Sequence, residues 1–428
     1  MMSQKLWALP NKLTPQLLSI CFLVLGTSIP AMAEQQSSAT NFGGPDAVEN
    51  TIASDAEPRP AAVDKRVLQS WFDWKAGVQE KNGVSLGVDY SAVFLGSNEK
   101  GFSGDSNASS GMLRFFGSWD LVGRGTKNTG ALIWKVEHRH SYTDVAPSGF
   151  GFDQGYIGLI EPPFSDQGGR WTNLFWRQRF NDGKATVVAG LLDATDFLNL
   201  YSMISPWTGF MNFAFSTGSA AMFVPNDATT GVGLGAMLTD KVYMIGSLVN
   251  AYTDPTEPFD TFSDFFSENE YFSSIELGWS PSQERIFFEN AHITLWHVDA
   301  SVPAGTPGGW GFAFNWSKAL KEQKMTTFVR GGYADEGGTL LEKSLSLGLG
   351  YKMVGGRDEL GVAANWGQPN EDTWGSGLKD QYVFEAFYRY QLTQQLAITP
   401  DIQLLIDPAN NPDHDQLWVW GLRARLAM

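Results

Sequence analysis

Cysteine is almost missing: the 428 residues contain one, Cys21. A small fold stapled by disulfides is therefore excluded. Basic charge is also short, with 30 Lys and Arg against 46 Asp and Glu, a net charge of −16. Nucleic acid, whose backbone repels such a chain, is not an expected partner. After the N-terminus no apolar run is long enough to cross a bilayer as a helix, and the mean hydropathy is only −0.18. That excludes a helical membrane protein. It does not exclude a transmembrane β-barrel, whose alternating strands average to neutral hydropathy. No repeat of fixed period between roughly 20 and 50 residues is present, which argues against a propeller or solenoid.

Aromatics and glycine are plentiful: 16 Trp, 12 Tyr, 29 Phe and 46 Gly. Together they favour strands and turns over helices. The N-terminus carries Lys5 and Lys12, an apolar run from Leu17 to Leu25, and Ala31-Met32-Ala33. This is the order of a cleaved export signal, so residues 1–33 are set apart from the fold. A lipid-anchored reading of Cys21 fails because Ile20 before it is not small. Residues 34–65 are rich in Ser, Ala, Asn and Pro and are expected to form a flexible leader. In 66–82, Val67, Trp71, Trp74 and Val78 share one face of a short amphipathic helix, which Asn82-Gly83 stops. Such a helix docks on the domain in the plainer reading; a plug or a membrane-surface element is the sharper one.

From residue 83 onward the period becomes two. Leu86, Val88, Tyr90, Ala92 and Phe94 alternate with Gly87, Asp89, Ser91 and Val93; Leu113, Phe115, Gly117 and Trp119 alternate with Arg114, Phe116, Ser118 and Asp120. Leu132, Trp134, Val136 and His138 alternate with Ile133, Lys135, Glu137 and Arg139. Similar runs start near Thr172, Glu270, Gly309, Lys343, Asp358, Tyr382 and Leu396. Less regular ones lie near Gly155, Ala185, Gly209, Thr229, Val242, Glu289 and Met325. The expected count is about 16, within 16–18, in an all-β antiparallel barrel. Short links such as Asn181-Asp-Gly183 contrast with long acidic ones such as "YTDPTEPFDTFSDFFSENE". Short turns at one end and long loops at the other fit a membrane barrel.

The last strand, "DQLWVWGLRARLAM", puts Trp418, Trp420, Leu422, Ala424 and Leu426 on one face and Arg423 and Arg425 on the other. Closure would pair it with the first strand and leave no edge. The apolar set would then meet lipid and the arginines a water-filled lumen.

The stretch "VFEAFYRYQLTQQLAITPDIQLLIDPANNPDHDQLWVWGLRARL" resembles the C-terminal block of the OprB-type carbohydrate-selective porins. It carries Tyr388-Arg389, Gln391-Leu-Thr393, Pro400-Asp401-Ile-Gln403, Asp407-Pro408 and Gly421-Leu-Arg423. Fainter echoes are "WRQRFNDGKATVVAGLLDATDF", "GFMNFAF" and "GLGYKMVGGRDELGVAANWG". The resemblance implies a 16-stranded outer-membrane barrel of a Gram-negative bacterium that admits sugars by diffusion. Its surroundings would be outer-membrane lipid and lipopolysaccharide, and its last strand would be read by the barrel assembly machinery. Such barrels commonly end in an aromatic; this chain ends in Met428, which bears on that recognition more than on fold. Monomer and homotrimer both stay open.

A sugar channel needs donors and acceptors for hydroxyls and flat apolar faces for the ring. By alternation the polar set includes Arg114, Lys135, Glu137, Arg139, Arg177 and Arg179, with Glu385, Arg389, Arg423 and Arg425 elsewhere on the wall. The resemblance implies a constriction of arginine and acidic residues, carried here to Arg177 and Arg179 and to Asp193 and Asp196. For each, the competing role is a wall residue paired across strands. Arg423 and Arg425 suit such ladders best.

Signs of catalysis are thin, and no enzyme, cofactor or metal is expected. G-x-S-x-G is absent, and Gly231, Gly233, Gly235, Gly348 and Gly350 are period-two glycines of a smooth strand face. His138 and His140 share a face and suit a rim pair better than a metal. "DPANNPDHD" suits a solvated turn better than a calcium loop. The alternatives are a general porin, an outer-membrane hydrolase, and a secreted sugar-binding β-sandwich.

Overall fold

Sixteen strands form one antiparallel ring in which each strand pairs with its sequence neighbours and the last pairs with the first. The computed structural model describes residues 42–64, 68–254, 256–302, 305–321 and 323–428; the expected export signal, 1–33, and Val67 lie outside them. The strands are β1 (Val84–Ser97), β2 (Asn107–Val122), β3 (Gly130–Ser141), β4 (Gly168–Phe180), β5 (Ala185–Leu192), β6 (Thr229–Met237), β7 (Val242–Asn250) and β8 (Tyr271–Trp279). They continue as β9 (Asn290–Val298), β10 (Gly309–Leu320), β11 (Met325–Glu336), β12 (Leu341–Met353), β13 (Asp358–Pro369), β14 (Gln381–Gln391), β15 (Leu396–Ile406) and β16 (Gln416–Ala427). Closure runs from Asp89 opposite Ala427 to Ser97 opposite Val419. Ring closure satisfies both edges of the sheet.

The wall is apolar outside. Leu113, Phe115, Ile275, Leu277, Ile293, Leu295, Leu345, Leu347, Phe384, Ile402 and Leu422 are all exposed. Trp119, Trp279, Trp310, Trp316 and Trp418, near strand ends, add aromatic rims. The outward Lys318, Asp335 and Lys343 lie within three residues of a strand end. A continuous apolar band with aromatic rims is what hydrocarbon demands of a barrel, since a charge at mid-height is costly there.

The runs near Gly155 and Gly209 are not strands. They lie in the two longest connections, 142–167 and 193–228, which fold inward. Ile160 and Asn212 form a lone antiparallel bridge between them. Their apolar sequences imitate strands because they are buried among inward wall residues rather than half-buried in a sheet.

Two expectations about the interior are corrected. The lumen is not simply water-filled. Phe150, Phe164, Tyr201, Trp207, Phe210 and Phe215 from the inner loops pack with Phe328, Val383 and Phe387 of the wall. Ring centroids are 4.9 Å apart for Phe210–Phe215 and 5.0 Å for Phe210–Phe387, the range of favourable aromatic contacts. The leader is not wholly flexible either. Helix α1 (Val48–Ala56) forms within it and packs inside the barrel against β1–β3, with Phe42, Ala47 and Val48 buried. A nine-residue helix has little stability alone, so the lumen supplies it. Helix α2 (Gln69–Asn82) follows and buries none of its residues. Its Trp71 and Trp74 stack at 4.9 Å, and Lys75 donates to the Met428 carbonyl at 2.9 Å.

Candidate functional site

Alternation along β2, β3 and β4 aims Arg114, Lys135, Glu137, Arg139, Arg177 and Arg179 into the barrel. Asp193 and Asp196 come from the inner loop just past β5, where Asp193 caps a single turn by accepting from the Thr195 N–H at 3.0 Å. All eight therefore face the interior, and each has a partner.

They form linked groups. Arg114 meets Asp89, its partner in register, through Nε at 2.8 Å, and its guanidinium lies 3.8 Å over the Trp207 ring. Lys135 Nζ is 3.5 Å from Asp196, which also accepts from Asn173 at 3.3 Å. Arg139 binds Glu137 at 2.6 Å and also Asp227, which Arg170 reaches at 2.6 Å. Arg177 donates to Thr129 at 2.7 Å and Asp120 at 3.1 Å, and shares Glu49 with Arg179, each at 3.2 Å.

Charge is balanced unevenly. Burial pushes Asp196 up to about 8; Lys135 opposes this, while Asp193 and Asp46 add to it. Burial likewise raises Asp193 and Asp46. Asp227 goes the other way: against its burial, Arg139 and Arg170 hold it below the usual carboxylate range. Burial raises Glu161 to about 8 although Arg423 donates to it at 2.8 Å. An interior with paired arginines and partly proton-holding carboxylates offers many hydrogen-bond groups with little free charge.

Sequence alternation exposed the wall residues but not their partners. Asp89 is central: it accepts from both Arg114 and Arg425. Its place in a clean strand was the available signal. Arg330 and Asn199 were missed. Arg330 grips the inner loop through the Asn199 carbonyl at 3.2 Å and Ser219 Oγ at 3.1 Å, 4.2 Å over the Tyr201 ring. Asp227, Glu161, Glu49 and Asp55 gave no periodic signal, because they come from segments outside the strands. His138 and His140 face outward; His140 Nε2 lies 3.2 Å from Tyr90 Oη and 3.1 Å from Tyr142 Oη.

The model of the family described as "Carbohydrate-selective porin, OprB family" matches residues 123–428. A protein called Porin AaxA from Chlamydia abortus is 25% identical over 323 residues, covering 72% of this chain and 68% of that one. Its namesake from Chlamydia felis is 24% identical, with 72% and 69% covered. Among solved structures, Pseudomonas putida OprB at high pH superposes with a TM-score of 0.66 at 14% identity, covering 84% of this chain and 97% of that one. A variant of Rh. blastica porin gives 0.51 at 12% identity, with 81% and 100% covered. At such identities these structures speak for the fold alone.

Proposed function

The chain belongs to the carbohydrate-selective porin, OprB family, and on that footing we propose that it is an outer-membrane channel passing mono- or oligosaccharides by passive diffusion. The observation that carries this reading is the inside-out wall: an apolar exterior and an interior dense in arginine–carboxylate groups. Family and barrel together point to a channel rather than an enzyme.

The mechanism follows from the chemistry of the wall. A sugar sheds water on entering a narrow passage and must be offered replacements for those hydrogen bonds. Arg114, Arg139, Arg177 and Arg179 present forks of donors, and Lys135 adds a further donor. Glu137, Asp193 and Asp196 accept. Because each of these five cations already has a carboxylate partner, a neutral solute exchanges hydrogen bonds with pairs, not with bare charges, and binding stays weak enough for release. Trp207, buried under Arg114, holds that guanidinium in place. Lipid and lipopolysaccharide would surround the belt, and the assembly machinery would read β16.

The test is current through the purified protein in a planar bilayer with sugars titrated. The expected result is a small conductance reduced by added sugar and insensitive to added anions of similar size. Equal passage of sugars and other small solutes makes it a general porin, and absence of any pore rejects both.

A further inference from the structure

The segment between the expected signal and α2 lies inside the barrel and is joined to it chiefly by acidic side chains. Glu49 on α1 sits between Arg177 and Arg179, 3.2 Å from each. Asp55, at the other end of α1, takes a two-point fork from Arg425 at 2.8 and 2.7 Å. Asp46 accepts from Ser205 of the inner loop at 2.6 Å, and the Gly44 N–H donates to the Asp196 carbonyl at 2.7 Å. The chain then leaves along the turn after β14, where the Ala62 and Val63 N–H groups donate to the Gln391 and Leu392 carbonyls at 3.0 and 2.8 Å. The seat is shaped for it. A Cβ at Gly235 of β6 would lie 2.4 Å from Phe42 Cγ, so glycine there makes the room that Phe42 occupies. Between α1 and β4–β7 lies an apolar cavity of about 50 Å³, too small for a hexose.

We propose that residues 42–64 are a displaceable gate, seated in the pore by Glu49 and Asp55 on the wall arginines and withdrawn to let solute through. The proposal rests on the channel reading above. Three features make withdrawal feasible. Every strand of the ring is paired on both sides by other strands, so the ring closes without the segment. Two of the three arginines keep other partners when it leaves: Arg425 keeps Asp89 at 2.7 Å, and Arg177 keeps Asp120 and Thr129. Arg179, which binds Glu49, is the more accessible one and can be hydrated. α1 has no side-chain cap at its N-terminus and is too short to persist as a free helix, so the released segment is a flexible tether that can find its seat again.

The full chain tests this in two ways. In Glu49→Gln with Asp55→Asn the charged anchors are gone while shape is kept, and the open population should rise roughly tenfold or more, the scale of lost charge-assisted hydrogen bonds. In Phe42→Cys with Gly235→Cys, oxidation should lock the segment. The Phe42 Cβ and an ideal Cβ at 235 stand 2.8 Å apart, so a small relaxation reaches disulfide geometry. Current should fall on oxidation and return on reduction. Hydrogen exchange of residues 42–56 in the unmodified protein should outpace that of the strands, and locking should suppress it. Unchanged current on confirmed oxidation, together with exchange no faster than the strands, overturns the gate. Fast exchange that locking suppresses, with no current from any variant, leaves the movement and overturns the channel reading instead.

Discussion

Asp89 and Arg114 stand opposite each other across β1 and β2, and their side chains meet in a buried fork with Nε–Oδ1 at 2.8 Å. The same carboxylate takes Arg425 from β16, at 2.7 Å, so one aspartate ties three consecutive strands across the closing seam of the ring. Asp89→Asn keeps the volume but leaves two buried guanidiniums short of charge. Removing one partner of a buried pair costs about 3–5 kcal/mol. Thermal unfolding followed by heat-dependent gel mobility should show a clear drop for Asp89→Asn, and a much smaller one for a change at the exposed pair Lys184–Asp240.

The outer belt makes its own prediction. Ile402 of β15 is exposed on the outward face, opposite Trp420 and Ala386 in register. Ile402→Arg should cost about 2–4 kcal/mol if the residue lies near the bilayer midplane. Reversible unfolding from lipid vesicles measures it. A cost near zero would mean that this face meets water.

Asp196 gives a pH dependence. Its carboxyl titrates near 8 where it is buried, against 3.8 for an ordinary aspartate. Between those values the seated form keeps a proton that a released, hydrated form gives up. The contribution to seating is therefore fully present below about pH 4 and is lost as pH rises toward about 8. Lys135, Asp193, Asp46 and Asn173 face this carboxyl; Asp193 and Asp46, also raised by burial, act in the same direction. Hydrogen exchange of residues 42–56, corrected for intrinsic rate, should quicken from pH 5 to pH 9. Asp196→Asn should flatten that trend.

The inner loop depends on Glu385. Its carboxylate accepts from the Met211 and Asn212 N–H groups at 2.6 and 3.0 Å. Glu385→Gln turns one acceptor into a donor facing a donor, a loss of about 1–3 kcal/mol. Faster exchange of amides 209–215 is expected, with the strands unaffected. Protection equal to that of the original chain would show that the aromatic cluster alone holds the loop.

Alternation made some of this legible in advance. In β14, Tyr382, Phe384, Ala386 and Tyr388 against Val383, Glu385, Phe387 and Arg389 reads correctly into outward and inward sets. The wall members of the candidate site came from the same rule. What they bind did not: Arg139 finds Asp227, 88 residues on, and Arg423 finds Glu161, 262 residues back. The apolar runs near Gly155 and Gly209 misled because burial inside a lumen and burial on a sheet leave the same composition.

By itself the amino-acid order determined the alternating wall, its greasy and polar faces and the long and short connections, since each is a property of residues a few positions apart. Tertiary structure alone decided the register in which β1 closes on β16, that two loops and the N-terminal segment occupy the interior, and that Asp55 meets Arg425 across 370 residues. No local window encodes such a meeting, because it exists only once the ring has brought distant segments into one enclosed space.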